Sequence, residues 1–247
     1  MALDLFADRP AAIRELAALE GRRLNFDPVA AQPPAPAGGW HIDDYREPLP
    51  PEQPGAPVAG GTWEAARRIL LDYDFVDPTL VRAAFRADGP LAGRDMLLEL
   101  RIWGLRFHVG VRVVGVTDAT VTEDEREAAV WGWSYGTLEG HFEVGQMDYE
   151  VRKWLDTGEV EFRIHAFSLT APISNPLVRL GFRLLGRRKQ TQFARRACER
   201  MRRRVERELS ARPKVALATR TQGELAAGPR AEVIARPGAE LVLRPTR

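Results

Sequence analysis

Cysteine and long apolar runs are what this sequence has least of. Cys198 is the single cysteine among 247 residues, which excludes a disulfide within the chain and is typical of proteins in reducing compartments. No apolar run approaches the roughly 20 residues that a membrane-spanning helix needs. Acidic residues such as Asp4 and Glu15 interrupt the N-terminal segment, whereas a secretory signal needs an unbroken apolar stretch. We therefore expect a soluble, cytoplasmic protein.

Clustered metal ligands and phosphate-binding loops are missing as well. The four histidines (His41, His108, His141 and His165) lie far apart, with no HxH or HxxxH spacing, so their pattern does not predict a metal site. The sequence has no dinucleotide fingerprint and no phosphate loop. Cys198 falls on the apolar side of a predicted helix, where a buried, inert thiol is expected. We expect neither a metal nor another cofactor.

Positive charge is concentrated near the C-terminus. Residues 176–209 hold twelve Lys and Arg against three Glu, a net charge of +9, which leaves −7 for the rest of a chain whose net charge is +2. A solvated helix face explains part of the excess, and contacts with acidic residues such as Glu47, Asp72 and Asp74 would explain more. Weak attraction to an anionic membrane surface is also expected, through Arg195, Arg196, Arg200, Arg203 and Arg204. Nucleic-acid binding is not expected, because few aromatic residues are interleaved with the basic ones.

Alternating apolar and polar residues dominate the middle of the chain. The segment WHIDDYREPLP is a predicted first strand, and from residue 94 to residue 166 the pattern has the period of two that strands require. One face of each run is apolar, as in Val109, Val111 and Val113, and the other is largely polar. This pattern predicts an antiparallel run of five or six strands, covered on one side only.

Helical spacing occurs on both sides of this sheet region. Thr62 is a predicted N-cap for a short helix, and Asp77–Pro78 is predicted to begin a second one that runs through Ala84. A long helix is predicted to begin at Pro176, after an N-cap at Asn175. Its apolar stripe recurs every four residues: Phe193, Ala197, Met201, Val205 and Leu209.

The order of these elements predicts an α+β fold. A curved antiparallel sheet would wrap around the long C-terminal helix, with two short helices near the N-terminal side. We divide the chain into an N-terminal helical extension (1–23), the main domain (24–209) and a C-terminal tail (210–247). The tail contains the pattern of a small hairpin across Pro237–Gly238. A wedge between sheet and helix would give space for a cavity lined by the apolar strand faces.

Several segments resemble one uncharacterised family. GWHIDDYREPLP, GGTWEAARRILLDYDF, LRFHVGVRV and above all WGWSYGTLEGHFEVGQMDYEV, followed by VEFRIHAFS, are similar to the domain-of-unknown-function family nineteen-ninety. The resemblance runs from about residue 24 to residue 209. It implies a START-like, helix-grip fold of the kind found in pollen allergens and lipid-transfer domains, in agreement with the element order. It implies no particular reaction.

Aromatic and sulfur-containing residues on the predicted inner face are candidates for a ligand-binding wall. One interpretation is that they are ordinary core; the other is that some line a cavity and contact an apolar ligand such as a lipid, isoprenoid or polyketide. The candidates are Trp131, Trp133, Tyr135, Phe107, Met147, Tyr149, Phe162 and Met201.

His141 and Glu143 raise the alternative of an enzyme. If extended, the two side chains share a face, and an acid–base pair of this kind would suit a cyclase, dehydratase or hydrolase working in the same cavity. The competing interpretation is a hairpin in which both are structural. A third hypothesis makes the basic helix an electrostatic adaptor at a membrane or nucleic acid. A small hydrophobic ligand is the partner that we favour.

Overall fold

The computed structural model describes residues 9–27, 40–86, 88–102, 104–171, 176–211 and 241–243. In chain order, the elements in these ranges are α1 (Arg9–Ala17), β1 (His41–Leu49), α2 (Thr62–Leu71), β2 (Val81–Arg86), β3 (Asp95–Ile102), β4 (Leu105–Glu123), β5 (Arg126–Thr137), β6 (Glu143–Trp154), β7 (Val160–Thr170), α3 (Pro176–Ala211) and β8 (Leu241–Leu243). None of the described helices is both long and apolar enough to cross a membrane.

The strands form one antiparallel sheet in the order β1-β7-β6-β5-β4-β3-β2-β8. The WHIDDYREPLP segment is confirmed as β1, which pairs with β7 from His41 opposite Ser168 to Leu49 opposite Val160. The register of β4 and β5 shifts between Val113 and Gly115. Such a bulge bends a strand and adds to the curvature of its sheet.

Helix α3 packs on the inner, concave face of this sheet, which confirms the predicted α+β helix-grip architecture. The apolar stripe is buried as expected, with Ala197, Met201 and Val205 fully shielded from solvent. They join a core that draws residues from β1 to β7 and from α2. The predicted N-cap Asn175 lies outside the described residues.

The second predicted helix is wrong. Residues Val81–Arg86 form β2, paired with β3 from Val81 opposite Leu100 onwards. Ala83, Ala84 and Phe85 are all buried, although they point alternately to opposite faces. A strand buried on both faces loses its alternating pattern, so a short apolar run of this kind cannot be distinguished from a helix by periodicity.

The cap of α2 also differs from the prediction. Gly61 occupies the N-cap position without a side-chain bond of its own. The Glu52 carboxylate, from the preceding loop, accepts the Trp63 N–H at 2.8 Å. A carboxylate near a helix N-terminus satisfies a free backbone donor and interacts favourably with the helix dipole. A tertiary contact therefore replaces the predicted local cap of Thr62.

The outer face of the sheet is covered in part, contrary to the expectation of one-sided cover. Ala12 and Leu16 of α1, with Leu19 after it, pack against Ala84 and Leu97 of the sheet. The N-terminal helix thus forms a small second core. At the sheet edge, β8 pairs with β2, whereas the hairpin turn predicted at Pro237–Gly238 lies outside the described residues.

Candidate ligand-binding site

A cavity of about 140 Å³ lies between the sheet and α3. Its wall is largely apolar and is supplied by β1, β2, β3, β5, β6, β7, α3, the segment before β2 and the turn between β5 and β6. The apolar lining residues are Tyr45, Leu80, Val81, Leu98, Leu100, Met147, Ile164, Ala166, Phe167, Phe193 and Ala194. Partly exposed polar residues, among them Asp43, Arg101 and Lys189, also line it. Apolar concave sites with a few polar groups are typical binding sites for small molecules.

The YGTLEGHFEVG segment builds one wall of the cavity. Strand β5 continues through Thr137, a short turn follows, and β6 begins at Glu143. The turn between the two strands is therefore short and runs over residues 138–142. Gly145 is needed for close packing, because a Cβ there would lie 2.0 Å from the Phe167 carbonyl oxygen.

A segment from the N-terminal side holds this wall in place. The Asn25 side chain donates to the Glu143 carbonyl oxygen at 2.8 Å and accepts the Thr137 hydroxyl at 2.6 Å. Gly136 does not have a positive φ, and its missing side chain makes room for Leu24 and Phe26. The hairpin is thus fixed by contacts that are distant in sequence.

His141 lines the cavity as a neutral hydrogen-bond donor. The Glu143 N–H donates to His141 Nδ1 at 3.0 Å, which assigns the imidazole proton to Nε2. Burial lowers the pKa of His141 to about 4, so the ring is neutral near pH 7. No described residue hydrogen-bonds to Nε2. A base acting through Nε2 would first have to lose that proton, so His141 is better suited to donating than to accepting.

Glu143 also lines the cavity, and α3 holds its carboxylate. Gln190 Nε2 donates to Glu143 Oε1 and, at 3.2 Å, to the Ser168 hydroxyl. These contacts join β6, β7 and α3 beside the cavity. Both residues of the predicted acid–base pair therefore reach it, but their direct contact runs from the Glu143 backbone to the His141 ring.

Three tyrosines form a cluster where the cavity meets the core. Tyr73 and Tyr135 line the cavity, and Tyr149 packs behind Tyr135 with ring centroids 5.8 Å apart. The Tyr149 hydroxyl lies 3.4 Å from the Tyr135 hydroxyl and 2.9 Å from the Met147 sulfur. Burial raises the pKa of Tyr135 to about 12, and it raises the pKa values of Tyr73 and Tyr149 well above their ordinary range. All three phenols are therefore protonated donors near neutral pH.

Tyr135 and Met147 are the residues of the predicted aromatic and sulfur wall that line the cavity. The other candidates lie elsewhere. Phe107 packs edge-to-face on Phe142 at 5.3 Å. The remaining five are part of the packed core and do not border the cavity: Trp131, Trp133, Tyr149, Phe162 and Met201.

Several lining residues carry no sequence signal. Tyr73 follows the end of α2, where helical periodicity stops, and Arg101 lies at a position that the strand pattern marks only as polar. Lys189 and Gln190 belong to a stretch of α3 that is dominated by charge. The fold, and not the local pattern, brings these side chains to the cavity.

Residues 132–136 have the letters of a GxSxG nucleophile motif, but not its geometry. Ser134 lies in the middle of β5, opposite Asp148 of β6, and alternates with the inward-facing Trp133 and Tyr135. A nucleophile elbow is a sharp turn from strand to helix. In the described part of the chain, no three His, Cys, Asp or Glu side chains are grouped in a way that could hold a metal ion.

Four of the described arginines of α3 contact acidic residues of the body. Arg202 donates to Glu47 at 2.8 Å, Arg196 donates to Asp77 at 2.9 Å, and Arg203 forms an ion pair within the helix. The Asp74 carboxylate accepts hydrogen bonds from both Arg200 and Arg204, at 3.1 and 2.7 Å. The predicted contacts of this helix with Glu47 and Asp74 are confirmed, whereas the electrostatic adaptor stays a prediction. Membrane attraction remains a prediction.

The family model described as Domain of unknown function (DUF1990) matches residues 25–200. The chain belongs to this family. The match confirms the resemblance predicted from the YGTLEGHFEVG segment and its neighbours. It covers β1 to β7, α2 and most of α3, and it begins at Asn25, which braces the cavity wall.

Solved structures similar to this DUF1990 chain have low sequence identity to it. Ara h 8.0201 is 11% identical with a TM-score of 0.39, over 70% of this chain and 99% of its own. A protein from Thermus thermophilus is 8% identical with a TM-score of 0.41, over 68% and 97%. The major latex-like protein 151 of Panax ginseng is 12% identical with a TM-score of 0.33, over 70% and 97%. No curated protein sequence matches the chain.

Proposed function

We propose that the protein binds a small, largely apolar ligand in the cavity between the sheet and α3. The observation that carries this proposal is the cavity of about 140 Å³ with its apolar wall. A protein core is normally packed with few voids larger than a water molecule. A space of this size, lined by apolar residues and by a few partly exposed polar ones, is therefore a site that a ligand can fill.

The volume limits the buried part of the ligand. An engineered apolar cavity of roughly 150 Å³ binds benzene, so a single ring or a short branched chain suits this cavity. A ring of a polyketide or one isoprenoid unit would fit inside. A longer lipid chain would have to extend out of the cavity past partly exposed lining residues such as Arg101 and Lys189.

Native mass spectrometry of the purified protein, compared with denatured protein, tests for a co-purified ligand. Displacement of a hydrophobic fluorophore by one-ring compounds tests the empty cavity. Ala194→Leu should fill the space beside Phe193 and reduce fluorophore affinity at least tenfold. Arg46→Gln, at an exposed ion pair with Asp44, is the control and should bind as the wild type does. Absence of both a co-purified ligand and fluorophore binding would overturn the proposal.

An acid–base enzyme of the cyclase, dehydratase or hydrolase type is the second candidate, because the Glu143 carboxylate lines the cavity. In this version Glu143 is the base and His141 a donor, since His141 Nε2 already carries a proton. NMR can follow exchange of the methyl protons of acetophenone in heavy water. An exchange rate at least tenfold higher with the wild-type protein than with Glu143→Gln would support an enzyme. Equal rates would contradict catalysis by Glu143 and favour a protein that only binds its ligand.

A further inference from the structure

The Tyr73 hydroxyl is a buried donor without a partner. Tyr73 is 6% exposed and lines the cavity. Its hydroxyl interacts with the nearby Tyr135 and Tyr149 hydroxyls, but neither lies at the distance and angle of a hydrogen bond. Buried tyrosine hydroxyls usually find a partner, because an unmet buried polar group destabilises the fold. The unpaired Tyr73 hydroxyl therefore indicates that a ligand in the cavity accepts its hydrogen bond.

The backbone of Tyr73 supports a need for this particular side chain. The Tyr73 N–H bonds to the Leu70 carbonyl at 3.1 Å and the Asp74 N–H to the Ile69 carbonyl at 3.0 Å, the two bonds of a Schellman helix end. Tyr73 occupies its left-handed position, with φ +57°. Glycine is usual there, because a side chain strains this conformation. The chain keeps a tyrosine where glycine would be less strained.

The neighbouring groups offer the Tyr73 hydroxyl two phenol oxygens and a thioether, and none of them accepts its hydrogen bond at good geometry. Tyr135 also lines the cavity, and its hydroxyl lies 3.6 Å from the Met147 sulfur, which is a weak acceptor. The Tyr149 hydroxyl makes its shortest contact with the same sulfur. The Tyr73 O–H is therefore left over within the cluster, and a ligand oxygen with free lone pairs would accept it.

We infer that the Tyr73 hydroxyl, with the Tyr135 hydroxyl beside it, binds the carbonyl oxygen of a neutral, one-ring ketone or enone whose apolar body fills the cavity. This inference rests on the proposed function and specifies its ligand class. A neutral carbonyl suits the cluster better than a carboxylate, because the groups around the hydroxyls are phenols, a thioether and the aromatic rings of Phe75 and Trp133.

A pair of probes with nearly the same shape tests the inference. Acetophenone has a C=O group where α-methylstyrene has C=CH₂, and isothermal titration gives the dissociation constant of each. Tyr73→Phe should reduce the preference for acetophenone by about fivefold to tenfold, the worth of one hydrogen bond, and leave the affinity for α-methylstyrene within twofold. Tyr149→Phe removes a hydroxyl that does not line the cavity, and it should keep the preference.

The infrared spectrum of bound ¹³C=O acetophenone gives a second, direct measurement. Its carbonyl band should lie at lower wavenumber in wild type than in hexane, and Tyr73→Phe should reverse most of that shift. If both probes bind but preference and band are the same in wild type and Tyr73→Phe, the inference fails and ligand binding stands. If neither probe binds folded wild type, both fail. Should Tyr73→Phe not fold, the wild-type band decides, since an unshifted carbonyl overturns the inference.

Discussion

The space between the sheet and α3 has two halves that differ in packing. In the closed half, α2 lies against the sheet and the Trp131 and Trp133 side chains fill the interior. In the open half, Tyr135 and Met147 border a cavity. Strand β5 passes through both, so the same strand contributes core residues at one end and cavity lining at the other.

The position of α2 explains this difference. Trp63 Nε1 donates to the Ala129 carbonyl at 3.1 Å, and Trp133 Nε1 donates to the Leu70 carbonyl at 3.3 Å, which joins both ends of α2 to the sheet. The helix ends at Leu71, and the cavity begins at Tyr73. We therefore expect the length of α2 to set how much of the interior is left to a ligand.

The largest effect is expected when the closed half loses its buried ion pair. Lys153 donates to Glu52 at 2.7 Å, and both side chains are almost fully buried. Lys153→Met should lower the free energy of unfolding by about 3–5 kcal/mol, because it leaves an unpaired buried carboxylate beneath the start of α2. Urea unfolding measures this. Arg46→Met, which breaks an exposed pair, should cost less than about 1 kcal/mol; equal costs would contradict the prediction.

Acid should destabilise the open half through His141. The pKa of His141 is lowered to about 4 in the folded protein, against about 6.5 in an unfolded chain. Between those pH values the unfolded chain binds a proton that the folded protein does not, so stability is full above pH 6.5 and falls by about 2–3 kcal/mol as pH drops to 4.

Urea unfolding of wild type and His141→Gln from pH 7 to pH 4 isolates this contribution, because the other titrating groups are shared. NMR titration gives the pKa directly. His165, whose pKa the Asp148 hydrogen bond raises, is the internal reference. A His141 pKa above that of His165 would contradict the assignment.

The same substitution at two nearby positions of α3 should change the free energy of unfolding by different amounts in the two halves. Ala197 is fully buried in the packed core, whereas Ala194 lines the cavity. Ala197→Leu should lower the free energy of unfolding by about 1–3 kcal/mol through overpacking. Ala194→Leu should change it by less than about 1 kcal/mol, because the added atoms enter free space. Similar losses in thermal and urea unfolding would show that the two halves are packed alike.

The smallest effect is expected at the ion pairs outside the closed half. Arg204 and Arg200 share Asp74, just beyond α2. Arg204→Gln should cost less than about 1 kcal/mol, because Arg200 still pairs with the carboxylate and both arginines are partly exposed. The measurement is urea unfolding at low and high salt. A loss of more than about 2 kcal/mol would indicate that this contact, and not the tryptophan core, holds α2 in place.

The sequence predicted those strands and helices whose apolar residues recur with a regular period. The strand alternation around Val111 and the stripe through Met201 both led to the observed elements, because a surface buried on one side repeats with its secondary structure. β2 was missed because it is buried on both faces. Tyr73 was missed because a left-handed residue after a helix has no periodic signal, and the GxSxG letters at 132–136 show that a motif without its turn has no predictive value.

The brace between Asn25 and Thr137 also affects how the protein folds. The two residues are 112 positions apart, and contacts between distant residues form slowly because the intervening chain must first be brought together. The hairpin that carries His141 therefore gains its final support only when the segment before β1 has met the end of β5. We expect refolding to produce most of the sheet before the cavity acquires its ligand affinity, with a delay that stopped-flow fluorophore binding would resolve.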